Sequence, residues 1–358
     1  MLVNPTRIPH EWTTVRAALI TGTREVEIRE FPEPTPTAGG VVVDVAYCGI
    51  CGTDLHAYTS GRDYRPSICG HEWTGTVSAI GRDVQRYSEG DRVIVAVPPP
   101  CGRCEACEAE LPAYCITALN FALGRDPDAP EHGGFAPRIA VNQDRIVAAH
   151  PDLSFETLAQ VEPVTVSLHA VRRSGIVEGQ TAVIQGAGPV GLTTLQCVAA
   201  AGAGNIVVIE PGDARRALAT SLGATHVATP DGASELILSL TNGLGADIVY
   251  ECVGAPTTVQ SAVELARRGG SMCLIGLAHG DVSINPSTWL RKEITVTSAL
   301  AYLHEEFEMT MNMIANGEIQ VDALHTSTTR LDGLGSTLDE LASGTSDQTK
   351  VLLNPNWD

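Results

Sequence analysis

One heptapeptide constrains the fold of this chain more than any other feature. Gln185-Gly186-Ala187-Gly188-Pro189-Val190-Gly191 carries G-x-G-x-x-G between an apolar run, Thr181–Ile184, and a segment of helical composition, Pro189–Ala201. A second apolar run, Asn205–Glu210, ends in an acid. That order reads as strand, tight turn, helix and parallel strand, the context a dinucleotide-binding turn requires. Gly186 allows the turn, Gly188 lets the backbone approach a pyrophosphate, and Gly191 lets the helix pack on the strand. Pro189 and Val190 open the helix, whose N-terminus faces the phosphates. Glu210 would accept hydrogen bonds from adenosine ribose hydroxyls and repel a 2′-phosphate, which favours NAD over NADP. Arg215 joins the expected cofactor-binding set, although Arg215 and Arg216 beside Glu210 weaken the discrimination. The plainer alternatives are a glycine turn without nucleotide and a solvated strand-end carboxylate.

From Gly179 to Ile209 there is no charged residue, long enough to raise the question of a membrane span. The glycines, the proline and the polar Gln and Asn within it fit strand, turn, helix and strand better. Further runs at Asp247–Val253, Ser271–Gly276 and Ile294–Ser298, with a helix expected over Thr257–Arg268, extend the alternation. Ala214–Leu222 reads as another helix, with Gly223 well placed to end it. The expectation is an α/β fold with a doubly wound parallel sheet.

The first 165 residues read differently. Short runs such as Val41–Ala46, Thr74–Ile80 and Arg92–Val97 are broken by Gly and Pro, which suggests an irregular, barrel-like β domain. A chain of 358 residues has room for about two domains. After residue 301 come a helix near Glu305–Asn316 and a last strand, Lys350–Leu353, expected to return to the first domain.

The net charge of −19 argues against a nucleic-acid or anionic-membrane partner. Met1–Ala18 has no continuous apolar core, so a secretory leader is not expected and a cytoplasmic location is. Thiols there stay reduced, so clustered cysteines among the ten point to metal. Cys101, Cys104, Cys107 and Cys115 form C-x2-C-x2-C-x7-C, which suits a closed, tetrahedral, structural zinc site. An iron–sulfur cluster has related spacing and ranks below zinc. Cys51-Gly52-Thr53-Asp54-Leu55-His56 and Gly70-His71-Glu72 are weaker signals taken singly. A lone cysteine or histidine is more often a packed residue, and Glu162 alone reads as a solvated helix-start carboxylate.

Together these segments resemble the zinc-dependent medium-chain alcohol and polyol dehydrogenases, nearly end to end. Cys48–His56, Val161–Ser174 and Ile209–Arg216 are most similar to the 2,3-butanediol and sorbitol dehydrogenase branch. The resemblance implies a GroES-like catalytic domain over 1–165 with a zinc lobe at about 98–118. It further implies a Rossmann NAD-binding domain over 166–302 and a C-terminal return over 303–358. It implies two zinc ions per chain. Cys51, His71 and Glu162 match the catalytic ligand positions, Glu72 matches a carboxylate that binds the metal or exchanges with water, and Cys48 is a rival ligand. Thr53 and His56 match a proton relay with Glu72 beside it. Lys350 resembles a pyrophosphate contact, with a solvated lysine as the alternative. Gly52 stands where some relatives carry a basic residue. Tyr58, Trp73, Asn120 and Phe121 could line a pocket, although packing is the default for each. The implied activity is hydride transfer between NAD(H) and a secondary alcohol, vicinal diol or polyol, or the matching ketone, in a homodimer or homotetramer. A zinc-free NADPH enone or quinone reductase and a catalytically silent NAD-binding protein are the competing readings.

Overall fold

The structure is a computed structural model that describes residues 14–277 and 280–357. Most of the N-terminal stretch read for a leader lies outside the described residues. Strands β1 (Thr14–Gly22) and β2 (Glu25–Pro32) form an antiparallel pair. Strands β3 (Gly40–Gly49), β4 (Glu72–Ile80), β5 (Arg92–Val95), β6 (Arg138–Asn142) and β7 (Ile146–Ala148) follow in the first half. Six parallel strands come next: β8 (Thr181–Gln185), β9 (Asn205–Ile209), β10 (His226–Ala228), β11 (Ala246–Glu251), β12 (Ala266–Leu274) and β13 (Thr295–Ser298). The chain closes with β14 (His325–Arg330) and β15 (Lys350–Asn354).

The parallel sheet runs β10-β9-β8-β11-β12-β13. Strand order therefore reverses between β8 and β11, and open sheets of this kind bind ligands in the crevice at that reversal. Both faces are covered. Ala182 and Ile184 face a core shared with helices Val161–Ser174 and Pro189–Ala200, while Val183, Val207 and Val249 pack against Val259 and Val263. Every residue of β8 is buried, as a strand covered on both faces requires. The uncharged stretch near residue 190 is thus strand, turn, helix and strand. No helix among the described residues is long and apolar enough to cross a membrane.

The second sheet runs β14-β15-β3-β4-β5-β7, with β6 also on β3. Leu352 and Leu353 of β15 pair with Gly49 and Cys48 of β3, so the chain's last strand lies beside the segment that leads into Cys51. Valines 41, 43, 45, 77 and 93 fill the interior of this half.

The expected helix Thr257–Arg268 is shorter than its composition suggests. It spans Pro256–Leu265, and Ala266 is already extended (φ −70, ψ 147). Lys292 Nζ donates to the Glu264 and Ala266 carbonyls at 2.6 and 2.5 Å, serving acceptors at the helix end. Ala266 is also the first residue of β12, and Gly269 at φ +67 lies within that strand, where its register with β11 shifts. Conversely, Gly223 follows the helix Asp213–Ser221 at φ +105, as its position predicts.

Candidate active site and zinc lobe

The short helix Gly52–Ser60 builds one side of the site. Cys51 is its N-cap, with Sγ accepting from the Thr53 amide at 3.4 Å. Asp54 closes the reciprocal cap by accepting from the Cys51 amide at 2.8 Å. Completely buried, Asp54 also accepts from the Tyr64 hydroxyl at 2.7 Å and the Gly70 amide at 3.1 Å. One carboxylate thereby ties the Cys51 turn to the Gly70-His71 turn.

His71 is oriented from behind. Its Nδ1 lies 3.0 Å from the Ile68 carbonyl and 3.3 Å from the Tyr64 hydroxyl. Donation from Nδ1 to the carbonyl fixes the ring and leaves Nε2 on the Cys51 side, the nitrogen whose proton a metal would replace. Burial works against protonation of His71, but the Cys51 thiolate, Asp54 and Glu162 outweigh it and hold the imidazole pKa well above its usual value. Potential ligand atoms of Cys51, His71 and Glu72 lie within 4.8 Å of one another.

Glu72 has a partner the sequence did not suggest. Lys350, 2% exposed on β15, forms a buried ion pair with its carboxylate and donates to the Ile50 carbonyl at 3.1 Å. Burial alone would lower the Lys350 pKa, but the charges of Glu72, Cys51 and Glu162 raise it. The solvated lysine offered by sequence is therefore incorrect, because its β15 position faces inward.

Glu162, at the start of helix Val161–Ser174, is buried beside these groups but outside the 4.8 Å set. The Tyr302 hydroxyl hydrogen-bonds its carboxyl. Burial pushes Glu162 up to about 7, aided by the Glu72 charge and opposed by His71 and Tyr302. Tyr302 packs edge-on against Phe307, with ring centroids 4.6 Å apart. No motif marks it in the sequence.

Thr53 Oγ1 lies 3.6 Å from Cys51 Sγ, and His56 stands one turn further along the same helix. The remaining candidates divide by burial. Cys48 and Cys69 sit in the core of the first half, where burial raises both thiols, and the Ile20 amide donates to Cys69 at 3.3 Å. Tyr58 and Trp73 are core residues, 2% and 3% exposed. Asn120 and Phe121 are half-buried, and Arg145 donates to the Phe121 carbonyl at 3.4 Å.

The four-cysteine lobe draws its sulfurs from one short stretch of chain. Sulfur atoms of Cys101, Cys104, Cys107 and Cys115 lie within 4.8 Å of one another on a loop of short helical turns, with Gly102 at φ +70. Hydrogen bonds from Thr117 and the Arg103 amide bring Cys101 down to about 6, and amides of Cys107 and Ile116 lower Cys104. Burial raises Cys107 to about 11. Four sulfurs converging with N–H groups directed at them fit a tetrahedral zinc–thiolate site. All ten cysteines are free of disulfides.

At the glycine turn, each glycine has a distinct steric reason. A Cβ on Gly191 would sit 2.0 Å from the Gly186 carbonyl oxygen, and Gly186 itself is at φ +93. A Cβ on Gly188 would meet nothing within 4 Å, so the chain is open there for a ligand's approach. Pro189 begins the helix, followed by Val190. Glu210 accepts from the Ala187 amide and the Gly212 amide, each at 2.9 Å, and so ties β9 to the turn. Arg216 donates to the Glu210 carbonyl at 2.5 Å and pairs with Asp213, whereas Arg215 reaches the Gln348 carbonyl at 3.3 Å. The sequence reading missed this link from the nucleotide helix to the C-terminal segment.

Comparisons with known proteins converge on these elements. Residues 37–152 match the alcohol dehydrogenase GroES-like domain, and residues 189–316 match the zinc-binding dehydrogenase domain. The chain is 33% identical to the sorbitol dehydrogenase of Bacillus subtilis over 96% of its own length and 98% of that protein. It is 30% identical to an (R,R)-butanediol dehydrogenase of Saccharomyces cerevisiae, covering 91% and 94% of the two chains. The crystal structure of 2R,3R-butanediol dehydrogenase from Bacillus subtilis superposes with a TM-score of 0.81 at 29% identity, over 96% of this chain and 100% of that one.

Proposed function

Because this chain belongs to the zinc-dependent alcohol dehydrogenase family, we propose that it is an NAD-dependent dehydrogenase of secondary alcohols, vicinal diols or polyols. The convergence of Cys51, His71 and Glu72 beside the Thr53 hydroxyl carries this reading. A soft thiolate, an oriented imidazole and carboxylates suit a zinc site open to substrate. When bound, zinc supplies a Lewis acid for the alcohol oxygen and NAD a hydride acceptor.

The chain's own residues do the rest. Cys51 and His71 hold the metal, with Glu162 or Glu72 completing the shell. Asp54 and Tyr64 fix the relative positions of Cys51 and His71 through the hydrogen bonds above. Thr53 Oγ1 takes the alcohol proton as it gives up its own, and His56, one turn along the same helix, hands a proton on toward solvent. Lys350 offsets the Glu72 charge, so the buried carboxylates do not accumulate uncompensated repulsion. Gly186, Gly188 and Gly191 bring the backbone to the cofactor pyrophosphate. Glu210 and Arg215 take its adenosine end, where the Glu210 carboxylate opposes a 2′-phosphate. The four lobe cysteines hold a second, structural zinc.

Purified chain incubated with a panel of diols and polyols should form NADH, with NAD⁺ preferred over NADP⁺. NADPH-dependent enone reduction without diol oxidation would favour the zinc-free reductase reading. NAD binding without turnover on any alcohol would favour a silent binding protein. We further expect a cytoplasmic homodimer or homotetramer, which sedimentation analysis would test.

A further inference from the structure

We infer that Glu251 is a positioning residue for the nicotinamide half of the cofactor crevice, an inference that rests on the cofactor reading above. Glu251 ends β11, directly across from Gln185 at the end of β8, where the strand order reverses. In a doubly wound sheet, the half that carries the glycine turn takes one mononucleotide and the half beyond the reversal takes the other. Glu251 belongs to the second half.

Its side chain is completely buried and organises two loops. Oε1 accepts from the Val253 amide at 2.9 Å, the Gly254 amide at 2.9 Å and the Thr258 hydroxyl at 2.7 Å. Its backbone carbonyl accepts from the Ile275 and Gly276 amides at 2.9 and 2.8 Å. One residue thus holds the loop after β11 and the loop after β12. The loops also interlock. A Cβ on Gly254, at φ +76, would lie 2.7 Å from the Leu277 carbonyl oxygen, and one on Gly276 would lie 2.3 Å from the Gly254 amide nitrogen.

These loops carry exposed apolar side chains to the turn. Val253 is 49% exposed and Leu277 50%, and a Cβ on Gly186 would lie 2.8 Å from Val253 Cγ2. Exposed apolar surface beside a phosphate-binding turn is complementary to a flat ring such as nicotinamide. A buried carboxylate is a costly way merely to close a loop, since its charge must be met by donors. Here three donors converge on one oxygen, while Oε2 receives no protein hydrogen bond among the described residues. That geometry fixes the loops rigidly and depends on the single carboxylate.

The test compares two ligands on the purified, zinc-loaded chain: NADH, and ADP-ribose, which lacks the nicotinamide. In Glu251→Ala, the NADH Kd should rise about tenfold, the scale of losing a charged hydrogen-bond anchor. The ADP-ribose Kd should stay within about twofold, because the glycine turn and Glu210 are untouched. Glu251→Gln keeps an oxygen for the three donors and should recover most of the NADH affinity. If the alanine variant does not fold, Thr258→Val removes one donor and should show the same split at a smaller scale. Equal weakening of both ligands, or no change in either, would overturn the proposal in whichever variant folds. A wild-type chain that binds neither ligand would overturn the cofactor reading and this inference with it.

Discussion

The two cysteine-bearing centres solve the same problem of gathering soft ligands in opposite ways. The lobe collects all four sulfurs from one short loop, with local amides and Thr117 directed at them. The dispersed centre draws Cys51 from a helix cap, His71 and Glu72 from the entry to β4, Glu162 from another helix and Lys350 from the last strand. A closed set of four like ligands is a staple. A mixed set held by long-range partners leaves room for substrate chemistry. A staple can thus be written within fifteen residues of chain, 101–115, whereas a reactive centre needs the fold to deliver its parts.

Substitutions can break that comparison, beginning with the metal ligands. Cys51→Ser should cut turnover by at least about a thousandfold, the scale of losing a metal's stabilisation of developing charge. It should leave the melting temperature nearly unchanged and one zinc bound. Cys104→Ser should do the reverse at the level of the fold, lowering the melting temperature by on the order of 10 °C because the lobe zinc contributes folding energy. Similar thermal losses in both variants would erase the proposed division of labour.

A second contrast concerns buried charge. Lys350→Met would leave Glu72 uncompensated and should cost about 3 kcal/mol in urea denaturation. At the lobe the distant contact is only at the rim, where Arg173 donates to the Tyr114 hydroxyl at 3.2 Å and lies over its ring, and no charge there is left buried. A loss below about 1 kcal/mol would show that Glu72 does not depend on the lysine.

Relay and orientation effects should be smaller still. Thr53→Ala should lower kcat about a hundredfold with zinc content unchanged, as removal of a proton-transfer group does. An unchanged kcat would remove Thr53 from the relay. Tyr302→Phe removes one hydrogen bond from Glu162 and should weaken retention of the catalytic zinc several-fold, a loss on the order of 1 kcal/mol. Competition with a chromophoric chelator would measure it, and unchanged zinc retention would restrict Tyr302 to packing.

Local order was legible in the sequence, and long-range partnership was not. The strand, glycine turn and helix around residue 186 were readable because each glycine answers a local steric demand. Asp54 is local in only one of its bonds, to the Cys51 amide three positions away, while its bonds to Tyr64 and Gly70 depend on the fold. The Lys350–Glu72 pair joins residues 278 positions apart, and no local pattern foretells which way a strand lysine points. Tyr302 escapes a local reading for the same reason, since Glu162 lies far from it in the chain, whereas Glu251 has near partners, Val253, Gly254 and Thr258, in a segment that no motif marks. The helix beginning at Pro256 is shorter than its composition suggests because Ala266-Arg267-Arg268, helical in composition, pairs instead in β12, and Lys292 from a distant segment serves the carbonyls at the helix end.

The central claim is that one zinc serves the fold and the other the chemistry. Zinc per chain in the wild-type protein, followed during stepwise chelation with diol-dependent NADH formation and circular dichroism, tests it directly. The wild-type chain should hold two zincs, with loss of the first abolishing turnover while the fold persists, and readdition of zinc restoring it. A single zinc, or turnover that survives until the fold itself is lost, would contradict it.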